Sequence, residues 1–251
     1  MYPLTTELII DPRASRAAEW EQIAVRDFQR RMLDRETPFP CVFGVDALRK
    51  ATLRFAFISD DGDRAARLAA ALRDFVRLAP RLGRRTSLVV FFEEAGAAQT
   101  LEDYQRQFWA LLQRVHDLDA EPWPDGIAMD PEHERWEFAF AGMPMFVVTN
   151  TPAHRHRASR HAERLMVTFQ PRFVFADITE DTPQGKNART IIRNRLRSYD
   201  KVPPTPLLGS FGAPGNREWL QYFLDDDNSR GANGAALRCP FRVNQKEAGR
   251  K

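Results

Sequence analysis

Three of the chain's five histidines fall within eight residues of one another, in the stretch TPAHRHRASRHAE from Thr151 to Glu163. His154, His156 and His161 alternate there with Arg155, Arg157 and Arg160, and Arg164 follows one residue beyond. Imidazole changes charge near neutral pH and ligates metals. Guanidinium forks pair two-pronged with carboxylate or phosphate. The stretch therefore reads either as a site for an anionic partner or as a solvated basic loop. A second candidate is Cys41 in PFPCVFG. Between Pro40 and Phe43 an inert buried thiol is the commoner outcome, and a thiolate ligand to a soft or haem iron is the alternative. A third is the row Arg189, Arg193 and Arg197, spaced four apart so that they share one helical stripe. That stripe reads as a solvated face or as cations aimed at a ligand's carboxylates.

Several chemistries lack their signatures. The sequence contains no His-Glu-x-x-His and no CxxC pair for zinc. It has no GxxxxGK[ST] or GxGxxG phosphate loop. LGSFG does not match the Gly-x-Ser-x-Gly elbow of a serine hydrolase.

The elements that must carry these residues follow from periodicity. Apolar residues at helical spacing predict helices over 14–33, 63–78 and 100–115, with a short helical turn over 45–50. TLRFAFIS and SLVVFFEE read as strands. RWEFAFAGMPMFVVTN reads as two strands around Gly142, and RLMVTFQPRFVFADI as an extended segment broken at Pro171. The histidine stretch lies between those two regions, as a loop or short helix leaving a sheet. GKNARTIIRNRLRSYD predicts a helix with Ile191, Ile192 and Leu196 inward, and NREWLQYFLDDDN one more short helix. The pattern gives a single α/β (α+β) domain over 1–251, a mixed sheet flanked by helices, with 229–251 as a loosely held tail.

Hydrophobic residues at 43% and aromatics at 11% supply a sizeable core and argue against disorder. No apolar run approaches membrane-spanning length, and MYPLTTELIIDPR reads as no signal peptide. Cys41 and Cys239 are expected as reduced thiols in a soluble, cytoplasmic protein. A net charge of only +3 makes a general nucleic-acid footprint weak.

A set of segments, in order, carries a resemblance. These are PFPCVFG (38–44), WEFAFAG followed by MF, P-x-H-x-x-R-x-S-R from Pro152 to Arg160, QPR (170–172), R-x-x-I-R-x-R-L-x-x-Y-D (189–200) and EWLQYFLDDDN (218–228). Together they resemble the YqcI/YcgG family over most of the chain. The resemblance implies a haem-dependent N-oxygenase, similar to the arginine and guanidino N-hydroxylases of the D-cycloserine and guanitoxin pathways. A non-catalytic haem-binding or sensing protein of the same fold is the alternative. It also implies b-type haem, dioxygen or peroxide, an external electron donor or redox partner, and a small-molecule substrate, with no nucleic acid or membrane.

The haem pocket is then expected mainly in the second half of the chain, between the Phe-rich strands. His154 holds the family-like histidine position and is the favoured axial ligand, with Cys41 as its rival. Arg157, Ser159, Arg160 and Arg193 are expected at the haem propionates or a substrate carboxylate. Glu137, Glu218, Asp225 and Asp226 are the candidate clamps for a substrate guanidinium, and the sequence does not choose among them.

Overall fold

The structure, a computed structural model, describes residues 8–9, 18–94, 96–179, 182–229 and 237–244. Among these described residues six strands form one sheet in the order β1-β2-β3-β6-β5-β4. They are β1 (Leu8–Ile9), β2 (Arg54–Ile58), β3 (Leu88–Phe92), β4 (Ala139–Phe140), β5 (Met143–Asn150) and β6 (Met166–Pro171). Only β2 and β3 pair in parallel; the other neighbours are antiparallel, so the sheet is mixed as expected.

The parallel pair needs a crossover, and α3 (Arg64–Leu82) supplies it. Asp63 caps that helix by accepting from the N–H groups of Ala65 and Ala66. Leu68, Leu72 and Phe75 then repeat at helical spacing and are buried. α4 (Leu101–Asp117) begins with a reciprocal cap between Thr100 and Asp103 and buries Tyr104, Phe108, Leu112 and Val115. Both helices pack on one face of the sheet, against Ile58, Val90, Val147 and Phe169.

Strand side chains alternate between faces. The opposite face of β2 and β3 presents Phe55, Phe57, Val89 and Phe91 to α1 (Glu19–Met32) and α2 (Val42–Arg49). On β5 and β6 the residues on that second face are Phe146, Val148, Thr168 and Gln170, and they share a cavity with Ala188, Arg189, Ile192 and Leu196 of α5 (Pro183–Tyr199). α5 buries only Gly185 and Ala188. A helix so polar leaves a gap over the strands, and the gap is where the chemistry collects.

The hairpin expected around Gly142 is present. Ala141 and Gly142 both have positive φ (51° and 73°), as a two-residue connection that follows the strand twist requires. Two expectations need correcting. NREWLQYFLDDDN forms only a 3-10 turn, Glu218–Gln221, before the chain runs irregularly past the histidine loop. The tail is also more than a loose end. Residues 237–244 lie along α4, with Phe241 2% exposed against Trp136, Phe138 and His116. The N–H groups of Arg242 and Asn244 donate to Gln113 and His116. The rest of the expected tail, 230–236 and 245–251, lies outside the described residues.

Candidate functional site

The histidine stretch is a buckle between the sheet and the segment after Glu218–Gln221. His154 is 1% exposed. Its Nε2 donates to the Leu224 carbonyl at 2.8 Å, and its Nδ1 faces the Thr151 hydroxyl at 2.9 Å. A carbonyl can only accept, so the proton sits on Nε2 and Nδ1 accepts from Thr151. Burial pushes its pKa down to about 4, with the Leu224 hydrogen bond opposing and Arg160 adding to the fall. Both ring nitrogens are therefore spent inside the fold. His154, the favoured axial-ligand candidate, thus has both nitrogens hydrogen-bonded and lies outside the cavity lining, whereas its rival Cys41 lines the cavity.

Arg157 is spent in the same way. Its Nε donates to the Asp225 carbonyl, and its Nη2 to the Asp227 carbonyl and the Asn228 side chain. Asp226 collects the backbone N–H groups of Arg155, His156 and Arg157 at 2.8–3.0 Å, which holds its carboxyl below the usual range. Asp225 and Asp226 thus fasten the loop and do not line the cavity. His156 is exposed, and His161 donates through Nδ1 to the carbonyl of His154.

What the loop delivers to the gap is its last turn, Ala158–Arg160. Ser159 gives both its N–H (2.7 Å) and its hydroxyl (2.8 Å) to Asp200 at the end of α5. That lock sets the direction of Arg160, which is 8% exposed. Arg160 Nη2 donates to the Gln221 carbonyl, while Nη1 has no hydrogen-bond partner. Burial lowers its pKa to about 10, and it remains a cation at neutral pH.

The cavity over β5 and β6 measures about 820 Å³, in the upper part of the range for ligand pockets. Its walls are mainly apolar, with Phe39, Phe43, Phe146, Phe173, Phe175 and Phe211 among them. Among its polar lining groups are Cys41, Ser159, Arg160, Arg172, Arg189 and Glu218, with Arg85 and several hydroxyl and amide side chains beside them. The second half of the chain lines most of it; residues 28–53 and 85–89 supply the rest.

Cys41 is the N-cap of α2, and its Sγ accepts from the Gly44 N–H at 3.4 Å. A Cβ on Gly44 would stand 3.4 Å from that sulfur and 3.1 Å from Met32 Cε, so a larger residue there would press on the Met32 side chain. Burial raises the thiol pKa, opposed by the Gly44 and Phe43 N–H groups and by Arg160. A helix N-terminus and a nearby guanidinium favour the thiolate once a positive partner arrives.

Arg172 joins the two candidate carboxylates. Its Nε donates to Glu137 Oε2 at 2.7 Å, and its Nη2 reaches Glu137 Oε1 and, at 2.6 Å, Glu218 Oε2. Its guanidinium lies over the Phe211 ring, 4.0 Å from the centroid. Glu137 is fully buried behind Arg172, whereas Glu218 and Arg172 line the cavity. Burial and the neighbouring Glu218 charge raise the pKa of Glu137 to about 8, and burial raises that of Glu218 against the opposing pull of Arg172. Among the described residues no cluster of three or more His, Cys, Asp or Glu side chains could hold a bare metal ion. Likewise no described helix is long and apolar enough to cross a membrane.

The sequence profile of the YqcI/YcgG family matches residues 28–242. The chain belongs to the YqcI/YcgG family. It is 40% identical over 228 residues to the Bacillus subtilis (strain 168) protein YcgG, covering 89% of this chain and 88% of that one. It is 38% identical to YqcI of the same organism, over 88% and 87% of the two chains. To the Streptomyces lavendulae protein named "Putative N(omega)-hydroxy-L-arginine synthase DcsA" it is 37% identical over 229 residues, 88% of this chain and 84% of that one. No solved structure matches it.

This YqcI/YcgG cavity gathers some of the residues expected from the sequence and leaves others out. Cys41, Ser159, Arg160 and Glu218 line it. His154, Arg157 and Asp225 do not, and Glu137 stands behind its wall. Arg193 is exposed on α5; its neighbour in the stripe, Arg189, lines the cavity instead. Arg189 Nη1 donates to Ser210, and its Nη2 has no hydrogen-bond partner. Arg172 was not singled out by sequence, although QPR contains it; only the fold shows that one guanidinium must serve two buried carboxylates.

Proposed function

We propose that the protein is a haem-dependent N-oxygenase that hydroxylates a guanidino or amino nitrogen of a small polar substrate such as L-arginine, with the cavity over β5 and β6 as its active site. One observation carries the reading. A mainly apolar, Phe-bearing slot holds a cysteine at a helix N-terminus together with two arginines, Arg160 and Arg189, each with one buried nitrogen that lacks a partner. A buried cation without full pairing is costly, and an anion in the slot would relieve it. Those residues suit haem: Cys41 as the single protein ligand to iron, Arg160 and Arg189 for propionates or a substrate carboxylate, and Phe rings against the macrocycle. The naming of the Streptomyces lavendulae relative supports the reaction class.

Bound there, haem would supply the iron that activates dioxygen. Inserting one oxygen atom into an N–H bond, with the other leaving as water, consumes two electrons from an external donor and two protons; peroxide would replace dioxygen and donor together. The chain's own contribution is positional. The Ser159–Asp200 lock fixes Arg160, the apolar walls exclude water, and Glu218 offers a negative end for a cationic substrate.

The test is a carbon monoxide spectrum of the reduced, haem-supplied protein, followed by turnover of L-arginine with reductant and oxygen. A strongly red-shifted Soret band that disappears in Cys41→Ala, together with Nω-hydroxylated product, is the expected result. An unshifted band, or one unchanged in Cys41→Ala, removes Cys41 as ligand. No Soret band after haem supply removes the proposal.

A further inference from the structure

Glu137, Glu218 and Arg172 form a charge-unbalanced group in the cavity wall. With both carboxylates ionised the group carries one net negative charge, and with one proton shared between them it is neutral. Burial selects the neutral state in the absence of a counter-ion. Arg172 bridges the two carboxyls, donating to both, and its guanidinium also lies over the Phe211 ring. The other titratable group facing the pair is the Tyr222 phenol, which accepts from the Phe138 N–H and donates to the Met145 carbonyl. Burial and the two carboxyls keep that phenol un-ionised. Arg217, the residue before Glu218, is turned away to Glu132. Arg189 lines the same cavity from α5.

We propose that this group is a cation receptor: Glu218, on the cavity wall, takes the guanidinium of the substrate, and the carboxyl pair gives up its shared proton as that cation docks. The assignment of the cation to a guanidinium rests on the N-oxygenase reading; the receptor itself rests on the geometry. Glu137 cannot be the contact, because it is fully buried and bidentate to Arg172. Glu218 commits Oε2 to Arg172 and faces the cavity. A cation beside it makes the doubly ionised pair the neutral state, so binding and deprotonation are coupled. A second observation indicates what else the ligand carries. Arg160, more than nine-tenths buried on the same cavity, has an unpartnered Nη1. A molecule with a cationic end and an anionic end satisfies both sites.

The experiment is calorimetric titration of the full-length protein with L-arginine and with its uncharged isostere L-citrulline. It is run in buffers of different ionisation enthalpy from about pH 6 to about pH 9, so that the proton count is read directly. The guanidinium stays charged throughout this range. L-arginine should release close to one proton near neutral pH. Its Kd should fall by up to about tenfold per pH unit until the pair is ionised, then level off. L-citrulline should bind at least about tenfold more weakly and release no proton. Glu218→Gln should abolish both the proton release and the pH slope. Glu137→Gln, which spares the cavity wall, should abolish the release as well.

Agmatine bound with proton release where L-arginine is not would uphold the receptor and sink arginine as the substrate. L-arginine bound without proton release, or with release unchanged in Glu218→Gln, would overturn the proposal, as would failure of both cations to bind.

Discussion

His154 offers a measurement that separates a structural latch from an iron ligand. Its pKa falls from the ordinary 6.5 to about 4 because the neutral ring is buried between Thr151 and Leu224. Protonation therefore favours the unfolded chain. The stabilisation is fully present above the unfolded pKa and is lost as pH falls from 6.5 towards 4. Integrating that difference, His154 costs the fold about 2 kcal/mol between about pH 7.5 and about pH 5, and about 3 kcal/mol in all at lower pH.

Glu137 acts in the opposite sense, since its folded pKa is raised; it adds stability as pH falls from about 8. The wild-type profile mixes the two effects, so the informative quantity is a difference between variants. In His154→Gln the amide can still donate to the Leu224 carbonyl, but it has no proton to gain. Urea unfolding of the haem-free protein at both pH values should show the variant losing about 2 kcal/mol less than wild type over this interval. Equal losses would mean that His154 is not held neutral between those partners, and the latch assignment would fall.

Other perturbations probe neighbouring parts of the argument. Phe241→Ala should cost about 3–5 kcal/mol in urea unfolding, because the ring is buried against Trp136 and Phe138. It should also raise amide exchange at the C-terminal end of α4. Asp226→Asn should weaken the fold at neutral pH, since one carboxylate serves three consecutive N–H groups. The gap from wild type should close as acid protonates Asp226 below the ordinary carboxylate range. Arg160→Met should leave the haem-free fold equally or more stable, by on the order of 1 kcal/mol, because it removes an incompletely paired buried cation. The same change should lower haem retention or raise KM; if both stay at wild-type values, Arg160 holds no anion.

Much of the fold was legible because local signals agreed with one another. α3 and α4 carry caps, charges and apolar spacing that point the same way, and the β4–β5 turn announces itself by Gly142 between alternating runs. The failures occurred where stability is set at long range. EWLQYFLDDDN has a helical look, yet its backbone N–H and C=O groups are claimed by residues some seventy positions earlier, such as the Leu224 carbonyl by His154. The tail composition suggested nothing firm, and the buried Phe241 ring together with hydrogen bonds from Cys239, Arg242 and Asn244 holds 237–244 in place.

The site divides along the same line. A concentration of histidines and arginines marks a place where the fold spends many hydrogen bonds, and sequence cannot say whether those bonds run inward or to a ligand. Here most run inward. His154, Arg157 and Asp226 knit the loop to residues 224–228, so that Arg160, left under-paired, arrives at the cavity already oriented. The chemistry-bearing partners come from segments that look ordinary in isolation: Cys41 from a proline-broken turn, and Arg172 from the end of β6, where Pro171 stops the strand. Two acidic residues eighty-one positions apart, Glu137 and Glu218, acquire meaning only when one guanidinium is found between them, because a shared proton is a property of the pair and not of either residue.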